Sequence, residues 1–230
     1  MALPFAGKHC AIIGATGTIG FSIAKSFASH GAVLSLLGRT AVDARPKLEP
    51  LLTPYQPPPD ARAHRPSAHR FIAVDARSQA GLKSAFAPDD GSLENSDAIV
   101  GPVDILINCA GISQNQLHRS SSYSDIKNVL DTNLTATMLA CKYAQIQKRG
   151  CIINVSSLMA TKPAAGAAAY AAAKAGVIVL EPKLKDRYLK NTPLRRVATA
   201  DEVADAAVFL ASNGYANNCI LNLDGGLSAA

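Results

Sequence analysis

The strongest constraint on this chain is a glycine turn set between a strand and a helix. His9-Cys-Ala-Ile-Ile-Gly14 is an apolar run of strand length, and it flows into Gly14-Ala-Thr-Gly17-Thr-Ile-Gly20. A helix is expected from Thr18 to Ser29, with Ile19, Ile23, Ala24 and Phe27 on one face. A second strand is expected from Ala32 to Leu37. Glycine lets the backbone turn tightly at such a junction. The helix start offers unpaired N–H groups and a positive dipole end to a pyrophosphate. Strand, turn, helix and strand in this succession read as the opening of a Rossmann-type sheet, so the expected fold is α/β with a doubly wound parallel sheet.

The rest of the chain extends that pattern. Further strands are expected at Phe71–Asp75, Val103–Asn108, Cys151–Ser156 and Cys219–Leu223, and the fourth is apolar enough to be buried on both faces. Helices are expected at Ser78–Phe86, Asp125–Gln147, Gly166–Leu180 and Asp201–Ala211. On the second of these, Ile126, Val129, Leu130, Leu134, Met138 and Cys141 are expected to face inward. At 230 residues a single domain suffices. The stretch 41–70 stands apart. Its seven prolines forbid a long helix, so it is expected to be a loop insertion, exposed and mobile beyond a short helix over 43–52.

Composition excludes several functions. No apolar run approaches a membrane span, and the residues before the first strand are too few for a signal peptide. The cytoplasm or the mitochondrial matrix is therefore the expected location. The five cysteines form no Cys-x-x-Cys pair and the five histidines are dispersed, so no metal site is expected. The net charge of +6 is spread rather than blocked, without the aromatic–basic interleaving that grips single strands, which argues against nucleic acid.

The end of the second strand selects among dinucleotides. An acid there would bind a ribose 2′-hydroxyl and repel a 2′-phosphate. This chain has Gly38-Arg39-Thr40 instead. Arg39 can pair with a phosphate in bidentate fashion, which favours NADP(H); a solvated loop cation remains the alternative. Downstream, Tyr170 and Lys174 stand one helical turn apart on one face. A neighbouring ammonium stabilises a phenolate and makes the phenol a usable acid near neutral pH. Ser157 lies at the end of the fifth expected strand, where open α/β sheets place ligands, and could donate to a carbonyl oxygen. Asn133, polar on an otherwise inward face, could hold a water near Lys174.

These pieces resemble the short-chain dehydrogenase/reductase family. The resemblance rests on the glycine turn, Asp75-Ala76, Asn108-Cys-Ala-Gly111, Thr132-Asn133-Leu134, Ile153-Asn-Val-Ser-Ser157 and Tyr170–Lys174. The tail, with Pro193-Leu-Arg-Arg, Asp201-Glu-Val-Ala and Leu223-Asp-Gly-Gly226, is similar to the 3-oxoacyl-acyl-carrier-protein reductases in particular. The resemblance implies NADPH-dependent reduction of a 3-oxoacyl thioester in fatty acid biosynthesis. It implies that Tyr170 donates the proton, Lys174 binds the nicotinamide ribose and tunes Tyr170, Ser157 positions the carbonyl, and Asn133 anchors a relay water. The implied cofactor contacts are Gly14, Thr16, Gly17, Thr18, Ile19 and Gly20 in the turn, then Arg39 and Thr40. Asp75 and Ala76 would lie at the adenine, with Asn108, Ala110 and Gly111 along the adenosine side. Lys148, Arg149, Arg195 and Arg196 could dock an acidic carrier. The resemblance also suggests a homo- or hetero-oligomer.

The chain departs from the family pattern twice. Family glycine turns carry glycine where Thr18 stands, whereas here Gly17 comes one place earlier. After Leu180 the charged run Glu181-Pro182-Lys-Leu-Lys-Asp-Arg-Tyr-Leu-Lys190 replaces a sixth strand and its Pro-Gly turn. A segment is expected to be missing there, with Cys219–Leu223 becoming the next strand or the sheet edge left ragged. Two further functions stay open: a dinucleotide-binding subunit or sensor without catalysis, and a reductase of another carbonyl such as a steroid, polyketide or sugar.

Overall fold

The computed structural model describes residues 3–59, 65–87, 98–114, 117–177, 193–194, 196–216 and 219–226. Five parallel strands form one sheet: β1 (His9–Ile13), β2 (Val33–Gly38), β3 (Arg70–Ala73), β4 (Val103–Asn108) and β5 (Ile146–Asn154). Their order is β3-β2-β1-β4-β5. The chain winds outward from β1 to β3, then crosses back to the other side of β1, which is the reversal of a doubly wound sheet. Helices α1 (Thr18–Ser29), α2 (Ala41–Leu48), α3 (Gln79–Ala85), α4 (Tyr123–Leu130), α5 (Ala136–Tyr143), α6 (Ala168–Ala175) and α7 (Ala200–Ser212) complete the fold. Among the described residues, no helix is long and apolar enough to cross a membrane and no group of His, Cys, Asp and Glu could hold a metal ion.

Strand pleating sends alternate side chains to opposite faces. Ile12, Ile105 and Ile107 meet Ile23 and Phe27 of α1 and Ala204 and Ala207 of α7 on one face. Ala11, Ile13 and Leu106 meet Leu82 of α3 and Ala140 of α5 on the other. Both β1 and β4 are buried throughout, which explains why each reads as a largely apolar run.

Three expectations are corrected. The long helix over 125–147 is instead α4, a π-helical turn at Asp131–Thr135 and α5. The wider turn shifts the helical register, so Ala136, Thr137 and Ala140 are buried while Met138 is 62% exposed. Second, β5 starts at Ile146 rather than Cys151; the residue pair Arg149-Gly150 hides it, because Arg149 takes a left-handed φ of 66° inside the strand. Third, Cys219–Leu223 is not a strand. Ile220 is 76% exposed, and among the described residues β5 is the outer strand of the sheet on that side. Local β propensity without a partner ladder does not make a strand. Residues 178–192, where the expected end of the Gly166–Leu180 helix and the missing segment fall, lie outside the described residues.

Helix α2 and a 3₁₀ turn at Glu49–Leu51 occupy the start of the proline-rich stretch, and the Arg65 and His69 side chains are held in place near its end. The Arg65 side chain, only 6% exposed, donates to both carboxylate oxygens of Asp104 and to the Gly7 carbonyl. Asp104 also accepts from the His9 backbone N–H at 2.8 Å and from Lys8 at 3.4 Å. Burial works against the Asp104 charge, yet Arg65, the His9 N–H and Lys8 together hold its carboxyl below the usual carboxylate pKa. His69 is buried too, accepting from the Leu34 N–H at Nδ1 and donating to the Thr53 carbonyl from Nε2. A long-range ion pair has no local signal in sequence.

Candidate active site

The C-terminal ends of three adjacent strands, β1, β4 and β5, are level. Ile13 pairs with Asn108 across β1 and β4, and Asn108 with Asn154 across β4 and β5. The loops that follow them therefore emerge side by side, at the edge where open α/β sheets bind ligands.

The first loop is the glycine turn. Gly14 has φ +81°, and a Cβ there would stand 2.6 Å from the Cα and N of Ala110. A Cβ on Gly20 would stand 2.3 Å from the Gly14 carbonyl oxygen. Neither place admits a side chain, so the turn packs directly against the β4 loop and against its own helix. Gly17, the N-cap of α1, has no side chain to cap it, and its N–H donates to the Gly14 carbonyl at 3.2 Å. Thr18, Ile19 and Gly20 thus open a twelve-residue helix whose first amides no side chain satisfies, a ready anion site.

The rim of this edge is cationic. Thr16 and Thr40 face each other with hydroxyls 3.4 Å apart, joining the turn to the end of β2, and Arg39 beside them is exposed. Asp75 is gripped by Arg77 through Nε at 3.0 and 3.2 Å and Nη2 at 2.6 Å. That guanidinium, with Arg39 nearby, lowers the Asp75 pKa. Arg77 also donates to Asn128 at 2.7 Å and so ties this loop to α4. Ala76, between the two, is half-buried.

The second loop brings the core of the site. Asn108 donates to the Asn154 side-chain oxygen at 2.8 Å, bracing β4 against β5, while its own Oδ1 is buried without a hydrogen-bond partner among the described residues. At Gly111 a Cβ would lie 2.8 Å from Asn133 Oδ1 and 3.2 Å from Lys174 Nζ. Only glycine lets the chain pass between those two groups. Asn133 sits fully buried in the π-helical turn. Its amide donates to the Ile112 and Val129 carbonyls, both at 2.9 Å, and accepts from the Ile112 N–H at 3.3 Å. Both donors are committed, so any water held by this side chain must use the remaining acceptor lone pair.

Tyr170 and Lys174 lie on α6, both buried. Burial pulls the Lys174 pKa down to about 8. Ser157 opens a 3₁₀ turn, Leu158–Ala160, which packs against α6, and Tyr170 shares an apolar cluster with Met159 and Val129. The Ser157 Oγ is buried without a hydrogen-bond partner among the described residues. Such a hydroxyl carries a desolvation cost that a ligand oxygen would relieve. Of the cations expected to dock a carrier, Lys148 and Arg149 are exposed, Arg196 is paired with Glu202 at 2.6 Å, and Arg195 lies outside the described residues.

One residue escaped the sequence reading. Gln114, in the β4 loop, donates from Nε2 to the Gly166 carbonyl at 2.8 Å and accepts at Oε1 from the Tyr170 N–H at 3.2 Å. Helix α6 has Ala167 at its N-cap and no side-chain cap of its own. Gln114 supplies from another loop the acceptor that a Ser, Thr, Asp or Asn would supply locally. The run Pro163-Ala-Ala-Gly-Ala-Ala168 offers no capping side chain, and that absence is the only trace of the arrangement in sequence.

Comparison with known proteins bears on the same residues. Residues 8–195 match the model of the short chain dehydrogenase family. A 3-oxoacyl-[acyl-carrier-protein] reductase FabG of Chlamydia muridarum is 29% identical, covering 96% of this chain and 97% of the relative. A 3-oxoacyl-[acyl-carrier-protein] reductase of Rattus norvegicus is also 29% identical, covering 96% and 98%. The first of these alignments runs over 266 positions, more than the 230 residues of this chain, so gaps in this chain are part of the match. A solved short-chain dehydrogenase/reductase from Brucella melitensis superposes with a TM-score of 0.74 at 23% identity, covering 94% of this chain and 93% of that one. A fold, a phosphate turn and a sequence match that coincide over most of the length leave one assignment: the chain belongs to the short-chain dehydrogenase family, oxidoreductases that bind a nicotinamide dinucleotide.

Proposed function

We propose that the chain is an NADPH-dependent reductase of 3-oxoacyl thioesters carried on an acyl-carrier protein, within fatty acid biosynthesis. The observation that carries the reading is the buried, unpartnered Ser157 Oγ beside the helix that bears Tyr170 and Lys174. The names of the two relatives supply the substrate class.

The described residues fit a bound dinucleotide. The uncapped start of α1 and the closely packed glycine turn suit its pyrophosphate, and Arg39 suits a 2′-phosphate. The bound cofactor supplies the two electrons and one hydrogen of the reduction. Ser157 Oγ–H donates to the substrate carbonyl oxygen and orients it. The Tyr170 phenol gives its proton to that oxygen, so the carbonyl ends as a hydroxyl and the phenol as a phenolate. The buried Lys174 ammonium favours the phenolate. Gly111 lets the β4 loop lie against Lys174 Nζ, and Asn133 clamps that loop through Ile112.

The test is NADPH oxidation with an acetoacetyl thioester of acyl-carrier protein. Tyr170→Phe should lower turnover by on the order of 100-fold or more while NADPH still binds, because a general acid contributes about that much. Unchanged turnover in this variant would remove Tyr170 from the reaction. A second reading, a dinucleotide-binding subunit without catalysis, is favoured by β5 being the outer strand on that side among the described residues. It requires NADPH binding with no turnover of any carbonyl by the unaltered chain.

A further inference from the structure

The stretch 52–59 is neither helix nor strand, yet its burial follows a regular interval. Leu52 is buried, Tyr55 and Pro58 are half-buried, and Thr53, Pro54, Gln56, Pro57 and Pro59 are exposed. The inward residues recur every third position. A three-residue period belongs to the polyproline II helix, which has three residues per turn and a fully solvated backbone. Covalent geometry enforces that conformation here. Pro54, Pro57, Pro58 and Pro59 have φ fixed by their rings. Thr53, Gln56, Pro57 and Pro58 each precede a proline and are pushed to extended ψ. Leu52 enters the stretch already extended, with φ −91° and ψ 142°.

The inward ridge is anchored. The Tyr55 ring lies 6.4 Å from the His69 ring, and Pro58 is the nearest side chain to Gly7. Arg65, just beyond, is locked to Asp104. The two remaining ridges face outward: Thr53, Gln56 and Pro59 on one, Pro54 and Pro57 on the other. A groove that reads polyproline II touches two of the three ridges and leaves the third outside. Here the third ridge is the one that the protein covers.

We infer that residues 53–57 form a docking ridge for a proline-reading domain of SH3 type, whose aromatic-lined groove takes two successive x-Pro pairs. Thr53-Pro54 fills one pocket and Gln56-Pro57 the next. This register matches the Pro-x-x-Pro spacing that such grooves select. The spacing favours a two-pocket groove over domains that take one x-Pro pair, and Tyr55 faces inward, out of reach of domains that read a tyrosine beside proline. Because the ridge is held extended before binding, little ordering entropy is lost on docking. Pro58 sits beside Gly7, ahead of β1, and Tyr55 beside His69, ahead of β3, so the ridge lies at the end of these strands opposite the glycine turn, and docking does not call on the reaction proposed above.

The test titrates the full-length chain into a panel of purified SH3 domains, with heat of binding as the readout. At least one domain should bind. Pro54→Ala and Pro57→Ala should each weaken that binding about tenfold and together abolish it. Pro50→Ala, outside the ridge, should leave it unchanged. Both ridge prolines are exposed, so an unaltered far-UV circular dichroism spectrum in the double variant shows that its loss of binding is not unfolding. Absence of binding across the panel, or binding that survives the double substitution, overturns the inference. So does binding to an excised 51–59 peptide without binding to the folded chain.

Discussion

One buried imidazole should make this fold sensitive to acid between pH 7 and pH 5. His9 opens β1 and is fully buried. Its Nδ1 lies 2.9 Å from the Pro102 carbonyl and its Nε2 2.8 Å from Ser35 Oγ. A carbonyl only accepts, so Nδ1 carries the proton, Ser35 donates to Nε2, and the ring is neutral. Burial pulls its pKa down to about 4, aided by Arg70 and Arg65; the Pro102 carbonyl and Asp104 oppose the shift. An unfolded histidine titrates near 6.5. As pH falls from about 6.5 towards 4, the unfolded chain takes up a proton that the folded chain refuses, and stability is lost. Above that window the stabilisation is fully present. Linkage gives a loss of about 2 kcal/mol between pH 7 and pH 5, with a ceiling of about 3 kcal/mol below pH 4. His9→Gln removes the titration. Its stability at pH 7 will differ from that of the parent, so the readout is the slope rather than the level. The chain has no tryptophan, so urea unfolding is followed by far-UV circular dichroism at several pH values. His69, whose pKa burial also lowers, titrates in both proteins and cancels in the difference. Parallel curves for parent and variant between pH 7 and 5 would refute the reasoning.

Two other substitutions probe the site and the sheet. Gln114→Ala should lower kcat by on the order of 10-fold or more with little change in NADPH affinity, since it frees the first turn of the Tyr170 helix but touches no phosphate contact; Gln114→Glu, which keeps the acceptor, should recover part of that loss. Arg149→Gly should raise stability by up to about 1 kcal/mol in a thermal melt, because the left-handed φ of 66° costs an L-residue more than glycine loses in chain entropy. A lower melting temperature would mean that the exposed arginine side chain contributes contacts exceeding that strain.

The parts of the fold legible in sequence are those whose signals are local. The bounds of α1 and β4 match their expected positions, because a helix stripe after glycines and a doubly buried strand are written into consecutive residues. The π-helical turn at Asp131–Thr135 was not legible, since one widened turn leaves composition unchanged while rotating Met138 out to solvent. Nor was the anchoring of the proline-rich stretch, which depends on Arg65 meeting Asp104 across 39 positions. Cys219–Leu223 failed the opposite way: its apolar residues promised a strand, but a strand exists only as a ladder. At the site, Ser157, Tyr170 and Lys174 stood out as a family motif, and the structure places all three in buried positions about α6 and its neighbouring turn. Gln114 did not stand out, because its meaning lies in what α6 lacks.

The remote cap also dictates an order of assembly. Gln114 and Tyr170 are 56 positions apart, and α6 has only eight residues. A helix that short does not hold by itself in water. Its first turn can settle only after the β4 loop is in place, and closing so long a loop costs entropy that must be met beforehand by the packed sheet. The glycine turn waits on the same loop, since Gly14 packs against Ala110 across 96 positions. The β4 loop is therefore the one piece on which both the glycine turn and the first turn of α6 depend, and neither is complete before the central strands have paired.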